Sequence, residues 1–301
     1  MLTIKEVLIQ STRLVYQNLK FIILFWTTSI IFAAALSLPL FALVHDHISH
    51  STINNELVHG FDYVWFIQFM TLYQKSTDTI PILLYAVTGI YLFIQQFYTG
   101  GLLAVFINKK KNHHVDFFYG GVKYFIRFTK IALMSMVLYF VAFSINSLMH
   151  DLIVMFIIPT GSELLLFFNQ LGRYLIFLLI ISVINIVSDY SKVASAVNDS
   201  TKAFYSIIVG LRFVKKNFFR VLIMFLIVAS FVAIGGLVYN IVESFVPKTP
   251  IYMLIVTFII QQMLIILRFL IRMIFYSTEL ILFNDLSAEV IRPAVEEVSG
   301  V

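Results

Sequence analysis

The chain predicts an all-α polytopic membrane protein: six transmembrane helices in three tandem units, each an amphipathic cytoplasmic elbow helix plus two spans. Three observations carry this. Hydrophobic residues make up 60% of the 301 residues and charged ones 12%, against roughly 45–50% and about 25% in soluble proteins. Six apolar runs of about the 20 residues that cross a bilayer lie at 21–44, 80–107, 128–148, 172–188, 221–242 and 251–276. A basic pattern with spacing 0, 4 and 7 recurs three times, each time before an outgoing run. The runs leave little chain for a soluble core, and the longest connection, 45–79, is too short to build one. The expectation is one integral membrane domain, 1–301, with units at about 1–112, 113–200 and 201–286 and a short cytoplasmic tail at 287–301.

The first unit opens with a polar stripe, Glu6, Gln10, Arg13, Gln17 and Lys20. Leu8, Ile9, Leu14 and Val15 lie mostly off that stripe, so residues 3–20 read as a helix on the membrane surface that bends into the span near Lys20. Ala33-Ala34-Ala35 resembles a signal-peptidase site, but 20 residues precede the apolar run and it continues through Leu43, so retention is expected. The outer segment 45–79 starts polar and turns amphipathic at Phe61–Tyr73 around Trp65, which suits an interfacial helix. The second copy of the basic pattern is Lys123, Arg127 and Lys130; the third is Arg212 and Lys216, with Phe219 in the last slot and Arg220 beside it. Local text agrees: Gly121-Val-Lys matches Gly210-Leu-Arg, and Asn18 matches Asn217. Residues 115–130 and 201–220 are therefore expected to repeat the elbow and its bend. Returning spans share a marker as well: Phe97-Tyr98-Thr99, Asp189-Tyr190-Ser191 and Phe275-Tyr276-Ser277. Tyrosines at span ends are expected as interface anchors, with lining of a shared cavity as the other reading. Gly100-Gly101, Gly120-Gly121 and Gly235-Gly236 allow close helix contact, although no span has Gly-x-x-x-Gly spacing.

Charge sets the orientation. With both termini cytoplasmic, only Lys75, Arg173 and Lys248 of the 21 Lys/Arg fall outside, as the resistance of basic loops to translocation demands. The expected location is the cell inner (cytoplasmic) membrane. The net charge of +5 gathers at span ends, where anionic headgroups are the partner. Expected headgroup contacts are Lys109, Lys110, Lys111, Arg13, Lys20, Lys123, Arg127, Lys130, Arg212 and Lys216. Nucleic acid is not an expected partner; the bilayer is, with other membrane proteins as further candidates.

Few residues invite chemistry. There is no cysteine, which removes disulfides and thiolate metal sites. His45, His47 and His50 lie in a histidine-rich outer tract, but their spacing matches no defined zinc motif, so no metal and no other cofactor is expected. Arg268 and Arg272 share a face of the sixth span, with Glu279 seven residues beyond Arg272. Ionisable residues in spans tend to face a bundle interior or a watery cavity. A cavity would gather Arg268, Arg272, Glu279, Asp189, Gln95 and Gln96. Snorkelling of both arginines to inner headgroups is the favoured reading, because 251–267 is nearly long enough alone. No nucleophile elbow, phosphate loop or paired catalytic carboxylates occur, so no enzyme is expected.

The segment Gly210-Leu-Arg-Phe-Val-Lys-Lys-Asn-Phe-Phe-Arg-Val, entered from Asp189-Tyr190-Ser191-Lys192-Val193-Ala194, resembles bacterial six-span proteins. These are the membrane domain attached to some glycerophosphoryl diester phosphodiesterases and the related YciC-like families. The resemblance is specific around 186–225 and covers the rest in layout. It implies an all-helical inner-membrane protein; the phosphodiesterase domain has no counterpart here, so that activity is not implied. The leading functional expectation is a non-catalytic membrane subunit or scaffold. A transporter or lipid-handling permease with a polar cavity is the alternative, and a lipid-headgroup enzyme a weaker one.

Overall fold

A computed structural model describes residues 2–49, 63–108, 113–157, 163–247 and 252–288, nearly all of them helical. The helices are α1 (Ile4–Tyr16), α2 (Lys20–Ser49), α3 (Tyr63–Leu72), α4 (Gln74–Thr77), α5 (Ile80–Ile107), α6 (His113–Ile157), α7 (Glu163–Val197), α8 (Ala203–Lys216), α9 (Phe218–Ser244) and α10 (Tyr252–Ala288). Six of them, α2, α5, α6, α7, α9 and α10, are long and apolar enough to cross a membrane. Their outward faces carry exposed residues such as Phe41, Ile82, Phe140, Leu178, Leu237 and Ile255. Apolar surface on that scale would aggregate in water; lipid tails solvate it, while each helix satisfies its own backbone. The chain is an all-helical, multi-pass membrane protein.

It forms two compact bodies. The smaller is Lys20–Gln95 and the larger is Met1–Leu19 with Gln96–Val301, so the boundary falls inside α5. In the smaller body, Ser29 on α2 and Tyr91 on α5 share a hydrogen bond of 3.2 Å. The outer segment supplies α3, whose buried Trp65 and Phe69 rings stack 5.4 Å apart. Helix α2 runs ten residues beyond Pro39, past the expected span end at 44. Membrane helices tolerate such a proline because neighbouring groups satisfy the freed carbonyl.

In the larger body the elbows decide the architecture. Helix α1 starts at a capping box: Thr3 accepts from the Glu6 amide at 3.3 Å and Glu6 accepts from the Thr3 amide at 2.7 Å. Its buried face is Val7, Ser11 and Val15, at i, i+4 and i+8. Helix α8 buries Ser206, Gly210 and Val214 at the same spacing. The start of α6 buries Phe117 and Gly121 in step with them. After α1 and α8 the chain breaks before the span, and the same side chain closes both ends. Asn18 donates to the Leu14 carbonyl at 2.9 Å, and Asn217 to the Phe213 carbonyl at 3.1 Å. The second elbow departs from expectation: 115–130 does not end in a break but continues into one helix, His113–Ile157. The slot held by Asn18 and Asn217 is Phe128 in this copy. Phenylalanine cannot bond the preceding carbonyls, and nothing there stops the helix.

Candidate functional site

The three Tyr markers meet the three elbows in a closed cycle, all of it within the larger body. Gly210 of α8 lies on Ser191 of α7, so near that an added Cβ would stand 2.5 Å from the serine Oγ. Gly120 and Gly121 of α6 press on α5; a Cβ at Gly121 would come within 2.6 Å of the Phe97 ring. Ser11 of α1 hydrogen-bonds Ser277 of α10. Each elbow thus packs on the return span of the unit before it, and the first elbow packs on the last return span. The small residue, Ser11, Gly121 or Gly210, always stands two positions before the first basic residue of its copy. The facing residues Ser191 and Ser277 are fully buried, as is Thr99 in the same slot of the first return span, where Gly121 meets Phe97 instead. Only small side chains let helix backbones approach this closely.

Ion pairs fasten the same ring. Lys123 and Arg127 reach Asp199 at 2.9 and 2.7 Å. Arg220 lies 3.5 Å from Asp285 and also donates to the Leu2 carbonyl. The Leu2 amide donates to both Asp285 oxygens, at 3.2 and 3.0 Å. Asp199 and Asp285 occupy equivalent places, eight residues past Ser191 and Ser277. Asp199 has the left-handed φ of 46°. It ends α7, where the Ser200 amide bonds back to the Ser195 carbonyl at 3.1 Å, a six-residue closure of the Schellman type. The hydrogen bonds from Arg127 and then Lys123 hold the Asp199 carboxyl below its ordinary range.

The tyrosines are not open interface anchors. Tyr98, Tyr190 and Tyr276 are buried; elbow rings cover the first two, with Phe117 of α6 6.0 Å from Tyr98. Tyr190 stacks on Phe213 at 5.0 Å. The Tyr276 hydroxyl receives the Thr99 hydroxyl at 3.1 Å and the Arg272 Nη2 at 3.2 Å. Beside it, Lys192 donates to Asp189 at 2.9 Å. Lys192 lies within electrostatic range of Tyr276 and Arg272, and Glu279 within range of Asp189 and Lys192. Tyr139 faces the same charges and bonds Asn185. Glu279 is only 6% exposed, and its Oε2 has no hydrogen-bond partner among the described residues.

Of the six expected cavity residues, Arg272, Glu279 and Asp189 are therefore neighbours. Arg268 is exposed one turn away, on the outside of α10. Gln95 is buried within the smaller body, and Gln96 is half-buried at the start of the larger. Among the expected headgroup contacts, Arg13, Lys20, Lys130, Arg212 and Lys216 are exposed, whereas Lys123 and Arg127 are half-buried on Asp199. Lys109, Lys110 and Lys111 lie outside the described residues, as does His50. His45 is exposed, with Phe41 5.7 Å away, and the His47 side chain is not among those described. Sequence reasoning missed Lys192, Tyr139 and the Ser11–Ser277 pair. Lys192 gave a signal, as a lone charge in a run of small residues next to a Tyr marker. Tyr139 and Asn185 gave none, since they meet only across two helices.

The arrangement joins these helices through close contacts at Gly120, Gly121 and Gly210, the buried Ser11–Ser277 bond and ion pairs on Asp199 and Asp285. No protein-family model matches the chain, and no curated protein or solved structure matches it either.

Proposed function

We propose that the chain is a non-catalytic integral membrane protein, a subunit or scaffold of a membrane complex, in the cell inner membrane with both termini cytoplasmic. One observation carries this: apart from Glu279, the charged side chains of the elbow ring are spent on neighbours within it. Arg272 is bonded to Tyr276, Lys192 to Asp189, Lys123 and Arg127 to Asp199, and Arg220 to Leu2 and Asp285. Groups engaged in this way make a rigid platform rather than a place for substrate. The exposed basics of the larger body, Arg13, Lys130, Arg212 and Lys216, would hold that platform against anionic headgroups. The resemblance of 186–225 to the six-span families fits the same reading. Purification in mild detergent tests it: a protein partner at fixed stoichiometry is expected, and a chain that purifies alone with one retained solute would overturn the proposal.

A transporter or permease is the second reading, and Glu279 favours it. A buried carboxylate beside Asp189 and Lys192 with an oxygen left unbonded suits a group that takes up a proton or cation. Solute uptake that collapses in Glu279→Gln at normal abundance would put this reading ahead.

A further inference from the structure

At the far end of the α6–α7 hairpin, away from the elbow ring, lies an open groove of about 310 Å³. Its walls are apolar: Met149, Leu152, Ile153, Phe168 and Ile176, with the bare backbone of Gly172 between them. Two polar side chains, Asn169 and Arg173, complete the lining. Arg173 sits about 15 Å along α7 from Glu163, at 1.5 Å per residue. It is 6% exposed, so it does not reach out to an aqueous surface. Its Nη2 donates to Gln170 at 2.9 Å and its guanidinium covers the Tyr174 ring at 4.5 Å. Its Nε is buried and meets no acceptor among the described residues, and no carboxylate among them lies within ion-pair distance. A guanidinium is charged at any physiological pH and recognises phosphate through paired N–H donors. Buried here, it has one neutral amide and one ring face for company.

We infer that this groove is a binding site for an anionic phospholipid, its phosphate on Arg173 and Asn169 and the start of an acyl chain along the apolar walls. Three features select that ligand. The charge is positive and short of an anion. The walls would be inert to a free polar solute. The groove opens where Leu152, Phe168 and Ile176 are exposed on helices that span the membrane, so a lipid can enter sideways without crossing water. The volume lies at the lower edge of the roughly 300–1,000 Å³ of small-molecule sites, enough for a headgroup and a short length of chain. The groove would serve a subunit and a transporter alike.

Full-length protein in mild detergent is offered dioleoyl phosphatidylglycerol or dioleoyl phosphatidylcholine, and bound lipid is counted by native mass spectrometry. Wild type is expected to retain phosphatidylglycerol at least fivefold over phosphatidylcholine, and parity would overturn the inference. Arg173→Gln should lose one retained phosphatidylglycerol per chain and so lower the ratio, the exposed basic residues keeping the remainder, with Arg173→Lys between. Gly172→Leu is the second variant. A Cβ there meets nothing within 4 Å, so the helix tolerates it while the side chain fills the groove. The same loss with an unchanged melting temperature is expected. A preference unaffected in Gly172→Leu or in folded Arg173→Gln would overturn the site. Glycerol phosphate, a headgroup without chains, should not displace the lipid; displacement at equal concentration would show a free-anion site instead.

Discussion

Asp199 is held in two opposing ways. Its left-handed backbone is uncommon for any residue with a Cβ, though aspartate and asparagine tolerate it best. Its carboxylate meanwhile anchors Lys123 and Arg127 across the loop. Asp199→Asn keeps the backbone preference and removes the charge, and thermal unfolding in detergent should show a loss of about 0.2–1 kcal/mol, as for exposed pairs. Asp199→Ala adds backbone strain and should lose more. The pH dependence has a definite sign. The folded carboxyl titrates below its usual range, so its stabilisation is complete above about pH 4, the unfolded value. It fades as pH falls from there through the lower folded value. Melting curves from pH 6 to 3 should show a smaller acid loss in Asp199→Asn than in wild type. The two span arginines separate equally well. Arg268→Gln, at an exposed site, should stay within about 0.5 kcal/mol. Arg272→Gln, which strips donors from the buried Tyr276 hydroxyl, should cost about 1–2 kcal/mol. Equal effects in melting would contradict the split of the pair.

Among the elements, the elbow crossings carry the specificity of packing. Gly210→Val places branched bulk against Ser191 and should destabilise by about 1–3 kcal/mol through overpacking. Gly236→Ala is the control. Its Cβ would meet nothing within 4 Å, so the helix should be unchanged or gain up to about 1 kcal/mol. If both variants melt alike, close approach is not what holds the elbows. The sequence revealed the elbows and their register, because basic and small residues recur at fixed spacing. It did not reveal which span each elbow meets, since Gly210 and Ser191 lie on separate helices. Nor was the unbroken α6 anticipated, where Phe128 stands in the slot of Asn18 and Asn217. The bonded pair Arg272 and Tyr276 was hidden for a different reason. A tyrosine at a span end normally marks the water interface, and here it is buried with its hydroxyl on Thr99 of another return span.

At the scale of the molecule, the positions of all six spans were legible because length and hydropathy alone decide them. Their internal divide at Gln95 and Gln96 was not, as nothing in composition changes there. Orientation rests on the Lys/Arg asymmetry and is tested in intact cells with single cysteines and an impermeant thiol reagent. Residues 55, 162 and 248 should label, and residues 112 and 299 should not; the reverse pattern would invert the topology. The cyclic closure has a consequence for biosynthesis. Ser11 and its partner Ser277 are 266 residues apart, so the ribosome makes α1 long before the helix it docks on. Until α10 emerges, the buried face of α1, Val7, Ser11 and Val15, has no native cover, and closing so long a loop is slow. Nascent chains arrested before residue 270 should therefore leave α1 open to protease, and protection should arrive in one step with the last span.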